Sequence, residues 1–325
     1  MKAAILKSPD VTPEYGDFAE PVVDEGHELV ELVAAGIHPV VRSLAAGSHY
    51  GSTGTWPLIP GVDAVARTPS GALILTGFVQ PPYGTLAERM AVPRAMRVVL
   101  PPGADPVKVA AGMNPGLASW LPLNARAGEV DALGTVLILG VTGVAGTLAV
   151  QNANVLGAAR VVGVGRNLAT LERAAKLGAN VVAITADQKA NAAAIADALA
   201  GTAPSIVLDF LWGAPAETTF TALARRGLEE DQANIAYVQI GAMAGPEASL
   251  PASLLHSRRI RISGSGAGSA SIADILAQVP AYVQLIADGR IQVPTQIYPL
   301  SSIGEAWNAS IDSDRRIVIT LPPEK

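Results

Sequence analysis

Four residues within a short N-terminal stretch, His38, Arg42, His49 and Tyr50, bring two imidazoles, a guanidinium and a phenol close together in the chain. Imidazoles titrate near neutrality and phenols donate hydrogen bonds, so such groups can hold and help protonate an oxygen that gains negative charge in a reaction. A second constellation is Gly140-Val141-Thr142-Gly143-Val144-Ala145-Gly146, which follows the apolar run Val136-Leu137-Ile138-Leu139 and leads into a helical pattern. This spacing suits a turn whose backbone amides meet a pyrophosphate at a helix N-terminus, where the dipole favours negative charge. Gly143 permits close approach, Gly146 lets the helix sit tightly on the strand, and Thr142 and Val144 stand between and beside them.

The end of the next strand selects between cofactors. A site for NADH usually carries Asp or Glu there to hold the ribose 2′-hydroxyl, whereas this chain reads Gly163-Val164-Gly165-Arg166-Asn167. The guanidinium of Arg166 offers a planar fork of donors suited to a 2′-phosphate, so the expected cofactor is NADPH. Further cofactor contacts are expected from Gly241 and Ala242 after one later strand and from Ser265 and Gly266 after another, where ligands bind at the carboxyl ends of parallel strands.

The elements that must position these residues fall into two grammars. Through about residue 120, short strands at 2–6, 29–35, 64–68, 72–77 and 97–100 are separated by Pro, Gly and Asp, and one prominent helical pattern, 40–46, interrupts them. From Gly134 onward, strands alternate with helices: 135–139 then 144–156, 160–164 then 168–177, 181–184 then 187–200, 205–209 then 214–226. Strands at 235–240 and 260–263 follow. That rhythm requires crossover connections and a parallel, doubly wound sheet. Asn167 is placed to cap one helix and Gly157 to close the one before. A helix at 272–287, a strand, a short helix at 303–311 and a strand at 316–321 break the rhythm and are expected to rejoin the first domain. The expected division is 1–120 with 266–325 as a catalytic domain and 121–265 as a Rossmann domain.

Composition excludes several classes. Among 325 residues there is no cysteine, hence no disulfide, iron–sulfur cluster, thiolate nucleophile or cysteine-held zinc; any zinc would need His and carboxylates alone, and since His38 by itself cannot supply the three ligands of a catalytic site, no metal is expected. A net charge of −5 and the absence of long basic runs argue against nucleic acid. The mean hydropathy is positive at +0.34, yet the uncharged stretch from Leu133 to Ala159 is interrupted by glycines and by Gln151, Asn152 and Asn154. It reads as strand, turn and amphipathic helix, not as a membrane span. The N-terminus meets Ser8-Pro9-Asp10 before an apolar signal core could form, so a cytoplasmic location is expected. No Tyr-x-x-x-Lys, Gly-Lys-Ser/Thr or Gly-x-Ser-x-Gly pattern offers a competing chemistry.

Other segments complete a family pattern: Pro60-Gly61-Val62-Asp63, Tyr83-Gly84-Thr85-Leu86-Ala87-Glu88 before Val92-Pro93, Met113-Asn114-Pro115 with Ser119-Trp120, and Leu177-Gly178-Ala179. Asp209-Phe210-Leu211-Trp212-Gly213, Ile240-Gly241 and Gly264-Ser265-Gly266 follow. In order and spacing these resemble the medium-chain dehydrogenase/reductase superfamily, in its zinc-independent quinone oxidoreductase-like branch, over nearly the whole chain. The resemblance implies an α/β protein with a GroES-like β-rich catalytic domain plus a doubly wound Rossmann domain, and NADPH in the cleft between them. It also implies hydride transfer to a quinone or an α,β-unsaturated carbonyl, and a homodimer. Where zinc-dependent relatives place a cysteine ligand this chain has His38, and where they place a histidine–glutamate pair it has Val62-Asp63. His38 falls where the zinc-independent branch commonly has Asn, and His49-Tyr50 where it commonly has Tyr. A catalytically silent NADPH-binding protein of the same fold is the competing reading.

Overall fold

A computed structural model describes residues 1–310 and 315–321 of the chain. The chain divides into two compact units, Met1–Pro115 with Leu276–Lys325 and Gly116–Ile275.

The first passage of the chain supplies β1 (Lys2–Ile5), β2 (Glu14–Asp17), β3 (His27–Gly36), α1 (Pro39–Ala45), β4 (Asp63–Arg67), β5 (Leu73–Gly77), β6 (Arg89–Pro93), β7 (Val98–Val99) and the long helix α2 (Pro106–Glu129). α2 corrects the expectation of a single helix before residue 120. Pro106, Gly112, Pro115 and Gly116 look like helix breakers in sequence, but Pro106 is tolerated in the first turn, and burial of Val109, Ala110, Ala111, Met113 and Leu123 outweighs intrinsic propensity. Gly112 is needed for contact: a Cβ there would stand 2.9 Å from Val293 and 3.0 Å from Ile286. The sequence reading also passed over β2 and β6.

The central passage supplies β8 (Thr135–Leu139), α3 (Val144–Val155), β9 (Arg160–Gly165), α4 (Leu168–Lys176), β10 (Asn180–Ala183), α5 (Gln188–Leu199), β11 (Ile206–Asp209), α6 (Gly213–Leu223), β12 (Ile235–Gln239), the short α7 (Ala252–Ser257) and β13 (Ile260–Gly264). Its six strands are all parallel, in the order β10-β9-β8-β11-β12-β13. Every residue of β8 is buried, as a strand covered on both faces requires. Because side chains alternate, Val136 and Ile138 join a core with Val150 and Ala153 of α3 and Leu171 of α4. Leu137 and Leu139 join the opposite core with Ile195 of α5 and Phe220 of α6. Asn167 caps α4 by accepting from the Thr170 amide at 3.2 Å, and Gly157, at φ 78°, ends the turn after α3.

The last passage supplies α8 (Ile272–Ala287), β14 (Thr295–Pro299), α9 (Ile303–Ala309) and β15 (Arg316–Thr320). The short helix expected over 303–311 ends at Ala309; Ile311 lies outside the described residues. β15 runs antiparallel to β3, with Val318 opposite Gly36, and β14 pairs with β15. The result is a sheet of order β14-β15-β3-β4-β5-β7, with β6 also on β3. Its core gathers Leu6, Ile37, Ile74, Leu86, Met90, Ile303 and Trp307. The protein is thus mixed α/β, a β-rich domain and a parallel-sheet Rossmann-like domain. No helix among the described residues is long and apolar enough to cross a membrane.

Candidate active site

β8 sits between β9 and β11, where the strand order reverses, and the crevice at the carboxyl ends of such strands is where ligands bind in open parallel sheets. The glycine turn leaves β8 at this point. Gly140, at φ 88°, and Val141 both donate amide hydrogens to the Val164 carbonyl, at 2.9 and 3.1 Å, which fastens the turn to the end of β9. A Cβ on Gly146 would collide with the Gly140 carbonyl oxygen and come within 2.6 Å of Val141 Cα, so only glycine lets α3 start this close to the turn. A Cβ on Gly165 would stand 2.5 Å from Thr142 Cγ2. The turn thus brings Thr142 and Gly165 together. α3 begins at Val144 after Gly143 with no side-chain cap, which leaves first-turn amides for an external acceptor. Arg166 is exposed immediately beyond Gly165.

The other expected cofactor positions line the ends of β12 and β13. The amides of Ile240 and Gly241 both donate to the Asp209 carbonyl, at 2.7 and 3.1 Å. Ala242 follows directly. The Ser265 amide donates to the Gln239 carbonyl at 2.8 Å, and Gly266 donates to Ser269 Oγ at 2.6 Å. An open pocket of roughly 380 Å³ is lined here by Trp212, Gln239, Pro246, Ile262, Ser263 and Gly264.

Sequence reasoning assigned no role to a buried carboxylate beside this region. Asp209 is fully buried, with Oδ2 2.6 Å from the hydroxyl of the equally buried Tyr237. Burial pushes the Asp209 carboxyl above its usual range, against the opposing pull of its donors, and raises the Tyr237 phenol. The available signal was an Asp closing an otherwise apolar strand, Ile206-Val207-Leu208-Asp209.

In the other unit, the four N-terminal candidates do not share one hydrogen-bonded cluster. His38 precedes α1 and is 1% exposed; its Nε2 lies 3.3 Å from Asp63 Oδ1 without the alignment of a hydrogen bond, and Nδ1 has no partner. The ring fits there because Gly36 has no side chain: a Cβ would stand 2.5 Å from His38 Cε1. Buried Arg316, on β15, donates to the Ile37 carbonyl at 2.9 Å. Burial lowers its pKa to about 10, partly opposed by the charge of Asp63.

Burial also holds the His38 imidazole below its ordinary value of 6.5, against the pull of Asp63. Above that value the ring is neutral in both the folded and unfolded chain. As pH falls through it the unfolded chain takes up the proton first, so stability declines toward acid by up to about 1.4 kcal/mol per pH unit. Wild type is therefore expected to lose melting temperature between about pH 7.5 and 5.5 more steeply than His38→Gln. Parallel melting profiles would show that His38 is not the group responsible.

Arg42 is committed to α9: Nη1 donates to the Trp307 carbonyl at 2.6 Å and to Ser310 Oγ at 3.1 Å, and the guanidinium lies 4.6 Å from the Trp307 ring centroid. His49 and Tyr50 stack on each other at 4.1 Å with 32° between their planes, and Tyr50 is 76% exposed. The Gly51 amide donates to His49 Nδ1 at 3.0 Å. A neutral His49 therefore carries its hydrogen on Nε2, and burial lowers its pKa, which favours that neutral form. Among the described residues no three His, Asp or Glu side chains form a group able to hold a metal ion.

Comparison with known proteins places this geometry. Residues 144–288 match a family described as zinc-binding dehydrogenase. The chain is 28% identical over 351 aligned positions, covering 94% of it and 96% of the relative, to a probable NADPH-dependent quinone reductase, tdiC, of Emericella nidulans. The quinone oxidoreductase of Thermus thermophilus, solved also in complex with NADPH, is 26% identical with a TM-score of 0.78, covering 99% of this chain and 100% of that one. A quinone oxidoreductase of Pseudomonas syringae pv. Tomato DC3000 shares the fold at 20% identity, with a TM-score of 0.80 and coverage of 98% and 100%. Fold, glycine turn and full-length similarity together support a quinone oxidoreductase-like protein of the medium-chain dehydrogenase/reductase superfamily.

Proposed function

We propose that the protein is an NADPH-dependent, zinc-free oxidoreductase that delivers hydride to a quinone, working in the cytoplasm as a homodimer. The observation that carries this reading is the cradle at the end of β8, where a Cβ at Gly146 or Gly165 would meet neighbouring atoms and α3 starts without a side-chain cap. These residues fit a dinucleotide: amides at the start of α3 for the pyrophosphate, Arg166 and Asn167 beside Gly165 for the 2′-phosphate end, and Gly241, Ala242, Ser265 and Gly266 at the ends of β12 and β13 for the other half. NADPH, when bound, supplies the hydride. The relatives described as NADPH-dependent and as quinone oxidoreductases support the choice of cofactor and acceptor. His38 and Val62 stand where zinc-dependent relatives hold metal, and the chain has no cysteine, which supports a reaction without zinc.

On the acceptor side the exposed ring of Tyr50 offers a face for a planar quinone, and His49 Nε2–H offers a hydrogen bond to the oxygen that gains charge. Of the four N-terminal candidates, His49 and Tyr50 carry this role; His38 is buried beside Asp63 and Arg42 is bonded to the end of α9. One hydride and one proton convert the quinone to hydroquinone. Mixing the protein with NADPH and 1,4-benzoquinone is expected to consume absorbance at 340 nm faster than the uncatalysed reaction, and the absence of any acceleration with quinones or enones would favour a silent binding protein. His49→Ala is expected to lower kcat/KM for the quinone about 10- to 100-fold while NADPH affinity stays unchanged. Unaltered turnover would remove His49 from the mechanism.

A further inference from the structure

Asp209 ends β11, whose other residues, Ile206, Val207 and Leu208, are apolar and buried. A carboxylate is unfavourable in such a place unless hydrogen-bonded throughout. Three donors supply this: the amides of Leu211 and Trp212 reach Oδ1 at 2.8 and 2.9 Å, and the Tyr237 hydroxyl reaches Oδ2. The backbone so held is unusual. Trp212 has φ 55° and ψ −160°, a region almost reserved for glycine, and Gly213 follows at φ 57°. A bulky residue persists there only where its surroundings over-determine it. The two amide bonds to Asp209 do so, together with the aromatic seat of Phe220 and Tyr237, whose centroids lie 6.0 and 6.4 Å from the Trp212 ring.

The turn at 210–213 faces the cradle. A Cβ on Gly140 would stand 3.0 Å from Leu211 Cδ2, a Cβ on Gly241 would stand 2.7 Å from the Phe210 carbonyl oxygen, and Trp212 lines the pocket beside Gln239 and Ser263. The turn therefore packs against both glycine loops and contributes Trp212 to the pocket wall. It lies on the β11–β13 half of the sheet, across the switch point from Arg166 at the end of β9. A dinucleotide spanning that point puts its adenosine 2′-phosphate half toward Arg166 and its nicotinamide half toward this turn.

We propose that Asp209 and Tyr237 are positioning residues for the nicotinamide half of the cofactor, holding the 210–213 turn in a strained shape that fixes the wall against which that half binds. The inference rests on NADPH being the cofactor. The discriminating probe is adenosine 2′,5′-bisphosphate, which carries the Arg166 half of NADPH and lacks the other.

Calorimetric titrations of NADPH and of adenosine 2′,5′-bisphosphate into wild type, Asp209→Asn and Tyr237→Phe, well below each melting temperature, separate the outcomes. Asp209→Asn is expected to weaken NADPH about tenfold and Tyr237→Phe about threefold, with the bisphosphate unchanged within about twofold in both. A structural defect alone would lower melting temperature and weaken both ligands together, or neither, and either result overturns the proposal. If Asp209→Asn does not fold, Tyr237→Phe carries the same comparison. Wild type that binds neither ligand would instead overturn the cofactor assignment, and the positioning role with it.

Discussion

Arg166→Ala is expected to weaken NADPH by about 10- to 30-fold while leaving NADH affinity within about twofold of wild type. Arg166 is exposed at the end of β9, next to a glycine that lies against Thr142 of the glycine turn. Asn167 cannot replace it, because its side chain is neutral and its Oδ1 is used in capping α4, leaving only an uncharged amide donor. A 2′-phosphate presents close to two negative charges, and hydrogen bonds to charged groups contribute about 1.5–3 kcal/mol each. Solvent and salt screening place the effect toward the lower end of that range, and it should shrink as salt rises. Titrations with both nucleotides at two ionic strengths check this. An equal loss for NADPH and NADH would mean that Arg166 acts on the shape of the turn and not on the phosphate.

The second large effect concerns stability. Asp63→Asn is expected to cost about 1–2 kcal/mol in denaturant unfolding, because it removes the charge that partly offsets the burial of Arg316, which is 7% exposed. Breaking a fully buried ion pair costs about 3–5 kcal/mol; the smaller figure applies because the charge of Asp63 acts on Arg316 through space and its side chain, 17% exposed, reaches some solvent. Adding Arg316→Met should recover much of the loss, since two uncharged groups tolerate the site better than one uncompensated charge. A double variant as unstable as the sum of the singles would show that Asp63 and Arg316 are not coupled.

That cluster also shows why some of the site was legible in the sequence and some was not. The parallel-sheet strands announced themselves: β8 is a run of buried residues between a glycine and a glycine turn, and its bounds, 135–139, follow from the text alone. Asn167 was readable because a cap is a local bond, three residues in span. α2 was not, because its glycines and prolines act by local rule in sequence and by packing in the fold. The company His38 keeps was also hidden, since Asp63 and Arg316 come from other strands and only the β3–β15 pairing brings the last of them near. Nor does the sequence state that the carboxylate closing β11 turns back on its own turn instead of reaching solvent. Residue type reveals chemistry that follows from neighbours in the chain, and conceals chemistry that depends on partners across a sheet.

The pairing of β15 with β3 bears on how the protein is made. The central unit is one continuous stretch, Gly116–Ile275, and its strand–helix connections can close as synthesis proceeds. The β-rich unit cannot finish in that order. β3 is translated early, yet the edge that β15 covers stays open until residues 316–320 have left the ribosome, with the whole central unit synthesised in between. During that interval the nascent chain carries an unpaired strand edge at Ala34, Ala35 and Gly36, next to His38. Slow, non-local closure of this kind is the step most exposed to mispairing, so the yield of folded protein depends on β15 reaching β3.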